Sequence, residues 1–177
     1  GPKGVGFLYA NKELVLTPLL YGGAQEAGRR AGTENVAGII GMGTASDIST
    51  AHQKDHTMLQ QTLRDHLMNR ILSEIPMTRL NGSRQERLPG NINVSFAGID
   101  SATLIAMLEA KDIYVSGGSA CSSSDPSPSH VLKAIGLSDE MALSAVRITI
   151  GHENTPEEIE ETFRQIKDCV HELRSLA

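Results

Sequence analysis

The segment Pro89-Gly90-Asn91-Ile92-Asn93-Val94-Ser95-Phe96 joins a Pro-Gly turn to six residues in which polar and apolar side chains alternate. Successive side chains of a strand point to opposite faces, so Ile92, Val94 and Phe96 share one face and polar residues occupy the other. The segment therefore predicts a half-buried strand whose apolar face covers a hydrophobic core.

Short predicted elements follow this strand in the sequence. The sequence predicts a helix over residues 101–110, a strand over 113–115, a helix that starts at Ser127-Pro128, and a strand over 145–150. In the last of these strands Val146, Ile148 and Ile150 alternate with polar residues. Strands that alternate with helices in this way predict a small domain beyond Pro76.

The last helix is the best-specified element. Thr155 is the expected N-cap, Pro156 occupies the first helical position, and Glu158 completes a capping box. Its apolar residues recur at helical spacing and predict one buried face, formed by Ile159, Phe163, Ile166, Val170 and Leu173. This stripe predicts packing and no chemistry.

Toward the N-terminus the elements become longer. Two apolar runs, residues 5–10 and 14–21, predict a pair of buried strands. A helix with Thr33 as N-cap is predicted to run to Ser49, and a second helix covers residues 58–75, where Pro76 ends it. We expect residues 1–75 to be the C-terminal part of a larger domain with its connecting helix, and residues 76–177 to form a small α+β domain.

Composition limits the function classes. The chain has 177 residues, of which 40% are hydrophobic, so it can bury a core. A net charge of -5, the absence of Trp and 3% aromatic residues argue against nucleic acid as a partner. No apolar run is long enough for a membrane span, and two cysteines do not make a disulfide framework, so a soluble cytoplasmic protein is expected.

Cys121 is the candidate nucleophile. It lies in a Ser/Gly-rich segment, residues 116–129, where small residues leave a thiol exposed and allow it to move. The alternative is an incidental surface cysteine, because no general base is adjacent in the sequence. Cys169, beside Val170 in the last helix, is interpreted as a packing residue.

Two further positions have the chemistry of anion binding. The Gly-rich loop of residues 22–35 holds two arginines and Thr33, which is the composition of a phosphate site at a helix start. An ordinary capped helix with solvated arginines is the alternative. Arg147 lies on the polar face of its strand, where it either grips a carboxylate or is solvated. His52 and His56 lie four residues apart on a helix, but without a third ligand no metal site is predicted.

Five segments occur together in a characteristic order. They are residues 1–9, residues 22–35, residues 89–96, Ser116-Gly117-Gly118-Ser119-Ala120-Cys121 and Val146-Arg147-Ile148-Thr149-Ile150-Gly151. Together they resemble the cysteine desulfurases of the NifS/IscS type. The resemblance implies an α/β chain, namely the C-terminal part of a fold-type I, class V aminotransferase-like protein. The resemblance further implies a homodimer that binds pyridoxal 5'-phosphate.

The resemblance also assigns roles to single residues. It implies that Cys121 removes sulfur from L-cysteine, giving L-alanine and a persulfide, and that Arg147 binds the substrate carboxylate. Thr33 matches a residue that binds the cofactor phosphate across the dimer. The loop length from Cys121 to His130 is that of the subgroup that passes sulfur to an iron–sulfur scaffold or another acceptor protein.

One departure affects the expected activity. In the resembled family the lysine that binds the cofactor covalently precedes the Gly-Pro-Lys-Gly segment, with which this chain begins, and Lys3 is not that lysine. We therefore expect the chain alone to be inactive. A selenocysteine lyase, and a non-catalytic module that relays sulfur, are the alternative functions.

Overall fold

The computed structural model describes residues 1–117 and 127–176. The chain divides into two compact units, Gly1–Lys54 and Asp55–Ala177, each of which is described by itself. The elements in chain order are a 3-10 turn Gln25–Gly28, α1 Val36–Glu74, β1 Thr78–Leu80, β2 Asn91–Phe96, α2 Ser101–Glu109, β3 Ser116–Gly117, α3 His130–Ala134, α4 Asp139–Leu143, β4 Ala145–Thr149 and α5 Pro156–Ser175.

The two strands predicted at residues 5–10 and 14–21 are absent, which corrects the prediction. These residues lie outside any helix or strand, and their large apolar side chains are exposed, with Val15 at 93% and Tyr9 at 88%. A strand requires a neighbouring strand to satisfy its backbone donors and acceptors. The unit of residues 1–54 contains no strand, so these apolar runs have no strand within this unit to pair with.

Helix α1 replaces the two helices predicted before Pro76. It runs without interruption through 39 residues, because residues 50–57 contain neither Gly nor Pro to break its hydrogen bonds. Its N-cap is Asn35 and not Thr33, since Oδ1 of Asn35 accepts a hydrogen bond from the Gly38 amide at 3.0 Å. The predicted domain boundary at residue 75 stays a prediction.

The unit of residues 55–177 is built on a four-stranded antiparallel sheet in the order β1-β2-β4-β3. Ile92 on β2 pairs with Ile148 on β4, and Val94 pairs with Val146, so the alternation predicted for both strands is confirmed. These side chains are fully or nearly fully buried against α2, α5 and the C-terminal part of α1. The opposite face of the sheet carries the polar residues of β2 and β4.

Two other boundaries differ from the predictions. Ile113 and Val115 pack against the core, but the strand pairing with β4 begins only at Ser116, so the strand predicted at 113–115 is displaced. Helix α3 begins at His130 with Ser129 as N-cap, which is two residues after the predicted start with Ser127 as N-cap and Pro128 as first helical residue. Leu132 of α3 forms a second small core with residues of α4.

Helix α5 agrees with its prediction in full. Thr155 Oγ1 accepts from the Glu158 amide at 3.2 Å, and the Glu158 carboxylate accepts from the Thr155 amide at 3.0 Å. The amide of Thr155 lowers the pKa of the Glu158 carboxyl, as a charge-assisted hydrogen bond does. Within residues 1–117 and 127–176, no helix is long and apolar enough to span a membrane.

Candidate active site

Arg147 lies on the polar face of the sheet, in the middle of β4. The side chain is half-buried, and its guanidinium has no hydrogen bond or ion pair with any residue that the structure describes. It is paired across the sheet with Asn93 of β2 on one side and with Ser116 of β3 on the other. A guanidinium that is partly desolvated and unpaired is ready to bind a carboxylate through two parallel hydrogen bonds.

A chain of hydrogen bonds lies beside this arginine. The Ser95 hydroxyl donates to the Met141 carbonyl at 2.6 Å, and Asn81 Nδ2 donates to Ser95 Oγ at 2.8 Å. The same Nδ2 donates to Asn93 Oδ1 at 2.7 Å. Ser95 and Asn81 are buried, so these bonds form in a low-dielectric setting and hold Asn93 in one orientation.

Sequence reasoning did not select Asn81, Asn93 or Ser95 as site residues. Asn93 was visible as a polar position of the alternating strand, but its position opposite Arg147 depends on the pairing register. Asn81 reaches the sheet from the residue after β1, at a distance of 12 residues along the chain from Asn93. The alternation in residues 91–96 was the only sequence signal for these three residues, and it indicated that Asn93 and Ser95 share a face.

The loop of residues 22–35 has a compact backbone. Gln25 Oε1 accepts from the Gly32 amide at 3.2 Å, and Glu26 and Ala27 adopt left-handed conformations with φ of 52° and 55°. Such conformations are costly for residues other than Gly and often occur in binding loops. Thr33 is exposed in this loop, so it is available to a ligand even though it does not cap α1.

The donors of this loop fit a phosphate. The hydroxyl of Thr33 and the guanidinium groups of Arg29 and Arg30 are exposed and make no hydrogen bond or ion pair with the described part of the chain. A phosphate group is recognised by hydroxyl and guanidinium donors of this kind. The loop therefore carries donors of the kind that bind a phosphate group.

The two cysteines differ in what the structure says of them. Cys121 lies outside the described residues 1–117 and 127–176. Cys169 is fully buried in α5, and burial raises the pKa of its thiol, which favours the unreactive protonated form. The predicted packing role of Cys169 is confirmed.

No metal centre emerges from the part of the chain that the structure describes, where no three His, Cys, Asp or Glu side chains come together. His56 stacks on His152 with ring centroids 4.2 Å apart.

Comparison with known families gives a match over most of the chain. A family model described as aminotransferase class-V matches residues 1–162. A cysteine desulfurase IscS of Methanosarcina thermophila is 44% identical over all 177 residues of this chain. A cysteine desulfurase IscS of Dictyoglomus turgidum is 42% identical over the same 177 residues.

Solved structures agree with these matches. A NifS-like protein superposes on 97% of this chain with a TM-score of 0.85 and 32% identity, and the chain covers 43% of that protein. The NifS-like protein of Rickettsia africae superposes on 89% of the chain with a TM-score of 0.78 and 28% identity, and 41% of it is covered. The chain likewise spans 44% of the Methanosarcina protein and 45% of the Dictyoglomus protein.

Proposed function

Because the chain belongs to the class V aminotransferase family, we propose that it carries the substrate-binding and sulfur-accepting parts of a cysteine desulfurase. The observation that carries the proposal is the half-buried guanidinium of Arg147 on the polar face of the sheet, which has no partner among residues 1–117 and 127–176. It occurs in a chain 44% identical to a cysteine desulfurase. The chain covers less than half of such relatives, so the activity is proposed for the whole protein.

Arg147 is proposed to bind and orient the carboxylate of L-cysteine. A guanidinium held by a strand presents two donors in a fixed plane, so the bound amino acid has a defined direction for its thiol. This orientation determines whether the substrate sulfur meets the nucleophile.

Cys121 is proposed to accept that sulfur. Its thiolate attacks the substrate sulfur, and the bond between sulfur and the substrate β-carbon breaks with its electron pair left on the carbon. A persulfide remains on Cys121, and the β-carbon takes up a proton so that the carbon skeleton leaves as L-alanine. Pyridoxal phosphate, when bound, supplies the electron sink for this cleavage. Delivery of the persulfide to an iron–sulfur scaffold or another acceptor protein completes the proposed function.

Thr33 is proposed to hold the cofactor phosphate, together with the arginines of its loop. Its exposed hydroxyl supports this role, and the family fold supports a homodimer in which the loop reaches the cofactor of the second subunit. A cytoplasmic location is part of the same proposal. The named relatives above are desulfurases, which favours this function over a selenocysteine lyase or a sulfur-relay module.

The position of the persulfide tests the proposal directly. The whole protein, loaded with pyridoxal phosphate, is given L-cysteine, and the two cysteine-containing peptides are analysed by mass spectrometry without reductant. We expect one added sulfur atom on the Cys121 peptide, loss of that sulfur and of alanine formation in Cys121→Ser, and retention of both in the control Cys169→Ala. Sulfur on the Cys169 peptide alone, or alanine formation that survives in Cys121→Ser, would overturn the proposal.

A further inference from the structure

Asn93 and Arg147 face the same side of the sheet as directly opposed residues of two antiparallel strands. The Cβ atoms of such a pair lie about 4.5–5.5 Å apart, so both side chains reach the same space above the sheet. Asn93 is half-buried, and within residues 1–117 and 127–176 its Nδ2 has no hydrogen-bond partner. Two polar groups that only donate, a carboxamide nitrogen and a guanidinium, therefore lie side by side.

The direction of the Asn93 amide follows from the atom that ends the hydrogen-bond chain. The Met141 carbonyl only accepts, so the Ser95 hydroxyl must give its hydrogen to it. Ser95 Oγ then accepts from Asn81, which places the Nδ2 group of Asn81 toward the sheet. That nitrogen gives its second hydrogen to Asn93 Oδ1, so the Nδ2 group of Asn93 points away from Asn81.

This orientation of the Asn81 amide costs stability, which argues that it has a functional role. Asn81 Oδ1 is buried and has no hydrogen-bond partner among the described residues. A buried unsatisfied carbonyl is destabilising, and native proteins retain few of them. Turning the Asn81 amide over would leave two acceptor oxygens, Oδ1 and Ser95 Oγ, facing each other, so the network keeps the orientation that presents Asn93 as a donor.

We propose that Asn93 is a second hydrogen-bond donor to the substrate carboxylate bound by Arg147, and that Asn81 and Ser95 are positioning residues that aim its amide. The inference rests on the proposed function, because it assumes that Arg147 binds the substrate carboxylate. A carboxylate has acceptor sites on both oxygens, so a guanidinium and a carboxamide can be bound at once. A substrate with an amide in place of the carboxylate would leave donors facing donors and would be rejected.

The full chain, labelled with nitrogen-15, is titrated with L-alanine, the product of the proposed reaction, and separately with L-alaninamide, which lacks the carboxylate. We expect L-alanine to shift the side-chain resonances of Asn93 Nδ2 and Arg147 Nε, and L-alaninamide to shift neither. This readout is independent of catalysis.

Variants separate binding from positioning. Asn93→Ala should weaken L-alanine binding about ten-fold, which is the effect of losing one hydrogen bond to a charged group. The control Asn91→Ala changes a residue of the same face and strand that is paired with Thr149, and it should bind as the unchanged chain does. Asn81→Ala should move the Asn93 amide resonance before any ligand is added and should weaken binding less than Asn93→Ala.

The outcomes distinguish the inference from the function on which it rests. If L-alanine shifts Arg147 but not Asn93, and Asn93→Ala binds with unchanged affinity, the inference is wrong and the role of Arg147 stands. If neither residue responds to L-alanine, the carboxylate role of Arg147 and the inference are both overturned. Should Asn81→Ala lose its folded spectrum, the comparison of Asn93→Ala with Asn91→Ala decides the question.

Discussion

Gly90 occupies the turn before β2 at a point where no side chain fits. A Cβ at this position would lie 2.1 Å from the carbonyl oxygen of Ile150, a backbone atom that cannot move aside. The carbonyl of Gly90 also accepts from the Ile150 amide at 2.8 Å, so the close approach lies at the end of the pairing between the central strands β2 and β4. The Pro89-Gly90 dipeptide thus sets the start of the strand that carries Asn93.

Gly90→Ala is therefore expected to destabilise the unit of residues 55–177. Steric overlap of this kind costs about 1–3 kcal/mol, and a backbone neighbour places this position at the upper end. Urea unfolding followed by circular dichroism measures the loss. Gly43→Ala is the matched control, because a Cβ there meets nothing within 4 Å and Ala is favoured in a helix. Equal midpoints for both variants would refute the steric explanation.

Single residues also show how far the sequence leads. The face of Arg147 was predicted correctly, because period-two alternation around Val146 and Ile148 is a local property. The position of Asn93 opposite Arg147 was not predicted, since the register depends on which residues of two strands distant in sequence are opposed. The sequence predicted Thr33 as the N-cap of α1, whereas the structure has Asn35 in this role. Both residue types are good N-caps, so the sequence alone does not decide which of the two precedes the helix.

Helices α1 and α5 are joined on their outer side by charged residues. Glu74 of α1 accepts from Arg70 Nε at 2.7 Å and from Lys167 of α5 at 3.0 Å. Arg70 also pairs with Glu160 of α5, and its guanidinium lies 3.9 Å from the ring centroid of Phe163. Hydrogen bonds from Arg70 and then Lys167 lower the pKa of Glu74 from 4.5 to about 2.

Removal of this carboxylate should change how stability depends on pH. A carboxyl whose pKa is lower in the folded state stabilises the fold above the unfolded pKa, and the contribution disappears as the pH falls through the folded value. The urea midpoint of Glu74→Gln should thus lie below that of the unchanged chain at pH 7 and converge with it between about pH 4.5 and 2. A difference at pH 2 that is as large as the difference at pH 7 would contradict this origin. The effect is expected to be modest and reduced by salt, because the groups are partly exposed.

Elements differ in how well sequence predicts them. Helix α5 was predicted from its cap to its stripe, because the capping box of Thr155 and Glu158 and the apolar spacing are all local. The strand predicted at residues 113–115 is displaced to β3. The apolar side chains of Ile113 and Val115 pack against the core, while the backbone pairing with β4 begins at Ser116. Apolar character alone does not separate these two uses.

At the scale of the whole molecule, the two units bury very different amounts of side chain. Every buried hydrophobic side chain within the described ranges belongs to the unit that begins at Asp55, from Leu63 to Val170. In residues 1–54 only Gly38 is buried, while Phe7, Tyr9 and Val15 are among the exposed large side chains. The apolar runs at residues 5–21 were predicted as strands because their composition suits burial, and this unit offers nothing to bury them.

This difference predicts two levels of local stability in one chain. Amides of residues 5–21 should exchange with solvent hydrogen almost as fast as those of an unstructured peptide, because few of them are hydrogen-bonded and no core covers them. Amides of β2, β4 and α5 should exchange only through global unfolding, since they are hydrogen-bonded in elements whose side chains form the core. Mass spectrometry of peptic fragments after deuterium labelling measures both regions in the same sample.

Protection in residues 5–21 at the level of β2 would contradict the two-level picture. Because exposed strand-forming segments with apolar side chains pair readily with other chains, the labelling is best repeated over a wide range of protein concentration. Protection that grows with concentration would mean that a second chain supplies the missing pairing partner. Exchange that stays fast at every concentration would mean that these apolar runs find no partner in another copy of this chain.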